Sequence, residues 1–297
     1  MINTYDEQIA NPQNFRQLSV RDMLFVHYRC PQIERLEQLY NHFNQLTFSL
    51  EGKRILHQGG NSWAITPHTS YFQRKTAYVQ EITDTKGWEV LVFHIPDEFL
   101  IQFAEEFMDN FSQQPLPELT TDMLIKIDLN EVTRTYFKSM LPYFKQEQPP
   151  SEKLLELKFK ELLLDILSNP SNQQLLAYIL HLSDNIKTPL WQVMEKNYTY
   201  HLSLKGYARI SNRSLAAFKR DFYDYYHTTP GKWLTDKRLE HARVLLENTN
   251  QSISEIVFNS GFENFSHFSR IFKEKFGLSP LQYRKKRNAP ARDLRKE

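Results

Sequence analysis

Phe218-Lys219-Arg220-Asp221-Phe222 and, fifty residues on, Phe268-Ser269-Arg270-Ile271-Phe272 are two diverged copies of one pattern. Thr229 and Pro230 recur as Ser279 and Pro280, Trp233 recurs as Tyr283, and Ser214 falls opposite Asn264. A fixed offset of this kind marks a structural unit used twice. Each copy reads as a short helix, a tight turn and a second helix. In the first, Leu202–Ala208 is the short helix, Ser211-Asn212-Arg213 the turn, and the second helix runs from after Ser214 to about Tyr225. Asn212 stands where the joint wants a left-handed residue, and Ser214 suits the free amides of the following helix as an N-cap. Leu215, Phe218 and Phe222 share an inward face, which leaves Ala216, Lys219, Arg220 and Tyr223 outward. In the second copy Ile253–Asn259 precedes Gly261, and Asn264 caps a helix that reaches about Phe276 and stops at Gly277. Phe268 and Phe272 point inward, and Ser266, His267, Arg270 and Lys273 point outward. Phe265 has the inward period but stands at the helix start.

Between the copies, Pro230–Asn248 carries Leu239, Ala242, Leu245 and Leu246 on one side of a long helix. Its ~18 residues give roughly 27 Å of helix. With the width of the flanking units, the two outward helices would stand about 34 Å apart, one turn of B-DNA. Lysine and arginine beside a small alanine can enter a major groove and reach guanine edges. Arg220 and Arg270 can equally bind phosphate, which positions without specifying.

The charge distribution agrees with a polyanionic partner for this end of the chain alone. The net charge of +2 averages 21 Lys and Arg against 11 Asp and Glu from Ile186 onward with 16 against 24 before it. At 297 residues the chain has room for about two domains. No apolar run approaches the ~18 residues of a membrane span, and the start, Met1 to Asp6, lacks the basic and apolar parts of a signal peptide. One cysteine, Cys30, cannot make an internal disulfide, so the expected address is the cytoplasm.

The first ~110 residues read as β-rich. Met23–Tyr28, Leu46–Leu50, Ser62–Ile65, Tyr78–Ile82 and Glu89–Ile95 are short apolar runs, separated by Glu51-Gly52, Gly59-Gly60, Pro67 and Lys86-Gly87. Ile33, Leu36, Leu39, Tyr40 and Phe43 are spaced for a helix that interrupts them. Past Pro96 the period is helical: Phe99, Phe103 and Phe107 repeat in Asp97–Phe111, Ser151–Leu167 is apolar over more than one face, and Gln173–Leu182 follows Asn169-Pro170. Many short strands at the spacing of that first region favour a small barrel or sandwich; this last pair of helices either closes the barrel or forms a dimer seam, and a homodimer through 151–182 is the expectation. Ser183–Pro189 is the candidate linker.

Arg238-Leu239, Ala242, Leu245-Leu246, Ile253, Ile256, Gly261-Phe262, Asn264, Ser266, Phe268, Arg270, Phe272-Lys273, Phe276-Gly277, Ser279-Pro280 and Tyr283-Arg284, in that order, resemble the signature of AraC-type transcription regulators. The resemblance covers about 187–288. It implies a seven-helix module with two helix-turn-helix units whose second helices enter adjacent major grooves of double-stranded DNA. The DNA-facing set it implies is Ala216, Lys219 and Arg220 with the capping Ser214 in the first unit, and Phe265, Ser266, His267 and Arg270 in the second. Two positions depart from the pattern: Asn212, where glycine is usual, and Ala216, often larger and polar. Arg284-Lys285-Lys286-Arg287 reads as a basic tail after the last helix.

The strands and following helices resemble the cupin-like regulatory domain of the same family. Leu50-Glu51-Gly52, Ala77-Tyr78-Val79-Gln80 and Phe93-His94-Ile95-Pro96 look most like the subgroup that includes the type III secretion activators. The resulting fold class is α+β, with a cupin-like β-barrel and helical pair in 1–182 (helical from about 97), a linker at 183–189 and an all-α DNA-binding domain in 187–297. The function implied is that of a transcription regulator, usually an activator, working with RNA polymerase and answering to an unknown small-molecule effector or regulatory protein. Trp63, Tyr71, Phe72, Tyr78, Trp88 and Phe93 could line an effector cavity.

The rival is a cupin-type enzyme or metal barrel with a DNA-targeting appendage. Such sites need a His-x-His pair with a nearby glutamate, whereas His57, His68 and His94 stand apart and none of the ten histidines forms that pair. The chain also lacks Gly-x-Ser-x-Gly, GxGxxG and phosphate-loop patterns. No enzyme activity, metal or cofactor is expected.

Overall fold

A computed structural model describes the chain apart from residues 31–35, 83–86, 108–110, 112–115, 185–187 and 289–297. Its main division, between Pro189 and Leu190, separates two compact units. Residues 185–187 of the expected linker, and Ile33, lie outside the described residues.

The first unit contains β1 (Ile2–Asn3), α1 (Thr4–Ala10), β2 (Arg16–Val20), β3 (Met23–Cys30), β4 (Leu36–Asn41), β5 (Asn44–Glu51), β6 (Arg54–Gln58), β7 (Asn61–Ile65), β8 (Ser70–Gln73), β9 (Thr76–Ile82) and β10 (Trp88–Ile95). Then come α2 (Asp97–Phe107), β11 (Leu124–Ile127), α3 (Glu131–Met140), α4 (Glu152–Ser168) and α5 (Gln173–Ser183). The strands form two sheets, ordered β1-β4-β9-β6-β7 and β11-β8-β5-β10-β3-β2. Strand β10 shows how the layers are assigned. Its period of two sends Trp88, Val90 and Val92 into the cluster with Leu39, Leu56 and Tyr78 of the other sheet. Leu91, Phe93 and Ile95 go to the helices. Gly52 turns β5 into β6 at φ +75, where a Cβ would come 2.1 Å from the Gly87 carbonyl oxygen.

One expectation changes here. The segment spaced for a helix around Leu36–Phe43 contains β4, antiparallel to β9 with Leu39 opposite Tyr78. Leu39 and Asn41 are its buried positions and Leu36 is exposed, so sheet pairing overrode a spacing that fits a helix. The wide apolar surface of α4 is used within the unit. Leu155, Phe159, Leu162, Leu163, Ile166 and Leu167 are buried, and the Phe159 ring lies 5.2 Å from both Phe25 and Phe93. Each such aromatic contributes on the order of 2 kcal/mol through burial. Leu154 and Leu157 are what α4 leaves exposed.

Among the described residues the second unit is all-α, in seven helices: α6 (Leu190–Asn197), α7 (Leu204–Ile210), α8 (Leu215–Tyr226), α9 (Pro230–Asn248), α10 (Ile253–Asn259), α11 (Phe265–Phe276) and α12 (Pro280–Asn288). Long helix α9 is shared by both copies. Trp233 near its start meets Phe222 at 6.1 Å and Tyr226 at 5.2 Å. Leu239, Ala242 and Leu246 farther along pack with Ile256, Val257, Phe262, Phe268 and Phe272. Arg238 on the same helix donates from Nε to the Tyr198 carbonyl at 2.6 Å and from a terminal nitrogen to that of Tyr200 at 2.8 Å. The basic run Arg284–Arg287 falls inside α12 and not after it, because Pro280 starts a helix that continues through it.

Candidate nucleic-acid interface

Both second helices are capped by the side chains the repeat placed there. Ser214 Oγ accepts from the Ala217 amide at 3.2 Å, and Asn264 Oδ1 from the His267 amide at 2.8 Å. Asn212 is left-handed at φ 53 and Gly261 at φ 83. After each, the turn closes with a backbone bond, Arg213 N–H to Ala208 at 2.9 Å and Phe262 N–H to Val257 at 3.0 Å. Helix α7 starts and ends two residues later than the Leu202–Ala208 expected from the pattern.

Phe218, Phe222, Phe268 and Phe272 are fully buried, at 0 % exposure. With those faces fixed, Ser214, Ala216, Lys219 and Arg220 on one helix, and Phe265, Ser266, His267 and Arg270 on the other, are exposed. Tyr223 and Lys273 share that exposure. Leu215, expected inward, is exposed, as is Phe265 at the matching first position of α11.

The outward arginines are not bare. Arg270 donates to Glu274 Oε1 at 2.6 Å and approaches His267 Nδ1 at 3.4 Å. Arg220 donates to Asp221 Oδ1 at 3.2 Å, and Arg213 Nε to Asp221 Oδ2 at 3.1 Å. Burial raises the Asp221 carboxyl, but its bonds to Arg213 and Arg220 prevail and hold it below the usual aspartate range. Asp221 and Glu274 lie outside the set of residues predicted from the sequence. Arg270 and Glu274 stand at i, i+4, a readable spacing, whereas Arg213 and Asp221 meet across a turn. Apart from these ion pairs the surface is a pair of helices offering Lys, Arg, Ser and His donors, the groups that phosphate oxygens and guanine edges accept.

In the first unit, Tyr71, Tyr78 and Trp88 line a cavity of about 140 Å³ together with Tyr28, Gln45 and Gln80. Phe72 and Phe93, expected there, face the helices instead, and Trp63 packs at the edge of the intersheet cluster. His94 is buried against Gln8 at 2.5 Å and Gln45 at 3.3 Å. Burial, with His42 nearby, lowers its pKa to about 3. His57 bonds Ser62 and Glu81. Among the described residues no three His, Cys, Asp or Glu side chains gather as a metal site.

The sequence matches the ExsA N-terminal regulatory domain over residues 44–178 and a helix-turn-helix domain over 207–286. It is 26% identical over 85% of its length to the thermoregulatory protein LcrF of Yersinia pestis, covering 96% of that protein. It is 25% identical over 92% of its length to the HTH-type transcriptional regulator ExsA of Pseudomonas aeruginosa, again covering 96%. With the HTH-type transcriptional activator RhaS of an Enterobacter species the figures are 25%, 88% and 91%. The likeness thus runs through both units and nearly the full length of each relative. With its paired helix-turn-helix units and the ExsA-type unit ahead of them, the chain carries the regulatory and DNA-binding domains of a transcription regulator, and its relatives are regulators of the AraC type.

Proposed function

We propose that the second unit reads two successive major grooves, α8 through Lys219 and Arg220 beside Ala216, and α11 through Ser266, His267 and Arg270. Ser214 and Phe265 flank these contacts at the helix starts. The single observation that carries the reading is the exposure of this whole set on two helices whose opposite faces are locked by Phe218, Phe222, Phe268 and Phe272. The protein activates transcription, as the RhaS relative does, and has RNA polymerase as its partner. The protein then works in the cytoplasm, without enzymatic chemistry.

Residues 1–182 act as the control and dimerisation domain, and 187–297 as the DNA-binding domain, with 183–189 between them. The homodimer forms through 151–182, where Leu154 and Leu157 remain exposed after α4 has packed on its own sheet. Control enters either as a small molecule in the cavity beside Tyr71, Tyr78 and Trp88 or as a protein on the outside of that domain.

A random-duplex selection with the full-length protein, followed by titration on the enriched site, tests the groove reading. If ~5 phosphates are neutralised, log K falls against log salt with a slope of about −4.5. Arg270→Ala costs on the order of 1–3 kcal/mol at the enriched site and relaxes the preference at one base pair. An equal loss on every duplex would move Arg270 to the phosphates, and no enrichment at low salt would defeat the reading.

A further inference from the structure

We propose that Asp221 is a positioning residue for DNA reading, a carboxylate fixed from behind by Arg213 that sets where Arg220 points. The proposal rests on Arg220 being a DNA-reading residue, as argued above. The two oxygens of one carboxylate are divided between the arginines, Oδ2 to Arg213 at 3.1 Å and Oδ1 to Arg220 at 3.2 Å. The anchor is rigid because the Arg213 side chain is 9% exposed, while the Arg220 side chain is 70% exposed and otherwise spans many rotamers. An isolated exposed ion pair would hold it weakly, so the support comes from the fixed partner and not from the pair itself.

The fork geometry of guanidinium makes the arrangement useful. Arg220 spends one N–H of a terminal nitrogen on Asp221 and keeps other donors of the planar fork for a guanine edge, which accepts two parallel bonds. The carboxylate also repels a phosphate approaching the same guanidinium, so it favours a base over the backbone as ligand. The second copy lacks the device. Position 271, matching Asp221, is isoleucine, and the positions opposite Arg213 are Phe262 by the turn and Glu263 by the fifty-residue offset, neither of them basic. Arg270 leans instead on Glu274, which is itself 59% exposed.

The test uses the full-length protein on its enriched duplex and on every single-base variant of that duplex. Arg220→Ala identifies the base pair at which discrimination is lost. Asp221→Asn is expected to lower discrimination at that base pair by about fivefold or more, to leave binding to unrelated duplex unchanged or tighter, and to add nothing in an Arg220→Ala background. Arg213→Gln, which frees the anchor but keeps the carboxylate, should give a smaller loss at the same base pair, and it keeps the test open if Asp221→Asn unfolds. Unchanged discrimination in both variants, or an equal loss on all duplexes, would overturn the positioning role alone. No effect of Arg220→Ala would overturn that role together with the assignment of Arg220 as a reader.

Discussion

The two helix-turn-helix copies keep one aromatic scaffold and differ in the turn and the outer face. Phe222 lies 4.5 Å from Tyr226 and 6.1 Å, at 79°, from Trp233. Phe272 lies 4.5 Å from Phe276 and 5.6 Å, at 86°, from Tyr283. The turns are not superimposable in count. Left-handed Asn212 precedes its N-cap, Ser214, by two residues, and left-handed Gly261 precedes Asn264 by three. Rings that interdigitate in a closed core tolerate little change of shape. A solvent-facing turn or groove face has no such partner, and divergence collects there.

The strongest test of a common scaffold is to remove the matching rings. Phe222→Ala and Phe272→Ala should each cost about 3–5 kcal/mol in chemical denaturation, because each side chain is fully enclosed and leaves a cavity. Losses that differed widely would show that one copy can collapse around the gap and the other cannot. The turns come next. A Cβ on Gly261 would sit 2.8 Å from the Thr199 carbonyl oxygen and 2.9 Å from Arg238 Nε. At a left-handed φ as well, Gly261→Ala should cost about 1–3 kcal/mol. Asn212→Gly should change stability by under about 0.5 kcal/mol, since asparagine already tolerates that conformation. A cost at Asn212 comparable to that at Gly261 would mean that the first turn depends on its side chain.

These differences also explain what the sequence disclosed. The bounds of α9 and α10 and the caps Ser214, Asn264 and Gly277 follow from residues whose chemistry admits few alternatives. The sheets were harder to read. Strands β3, β5, β7, β9 and β10 announce themselves through apolar runs, but β6 buries Arg54 and Gln58 beside Leu56, so its alternation does not separate polar from apolar. Strand β4 carries a misleading helical signal, because Leu36, Leu39 and Tyr40 satisfy a period of 3.6 but not one of two, and only the partner β9 decides. Of the outward helix faces, the exposed positions were legible from the phase of the phenylalanines. The carboxylates that hold the arginines were not, since the pairing of Arg213 with Asp221 depends on how tightly the turn closes.

The C-caps carry a small effect as well, and they isolate the backbone from everything else. Helix α8 ends on His227, left-handed at φ 52, whose amide donates to the Tyr223 carbonyl at 2.8 Å. Helix α11 ends on Gly277, at φ 78, with the same bond to Lys273 at 2.8 Å. The two caps do one job with different residues, and a histidine there carries a Cβ close to the following carbonyl. His227→Gly relieves that crowding but gives the unfolded chain more freedom, so the net gain should be about 0.5 kcal/mol. It should appear as a raised denaturation midpoint at unchanged slope. Gly277→His should lose about 1 kcal/mol, having both the crowding and no compensating contact. A gain and a loss of opposite sign would make the caps equivalent in backbone alone. A loss in His227→Gly would instead mean that the imidazole makes a contact the second copy lacks, and the likeness of the two copies would end at the last residue of the helix.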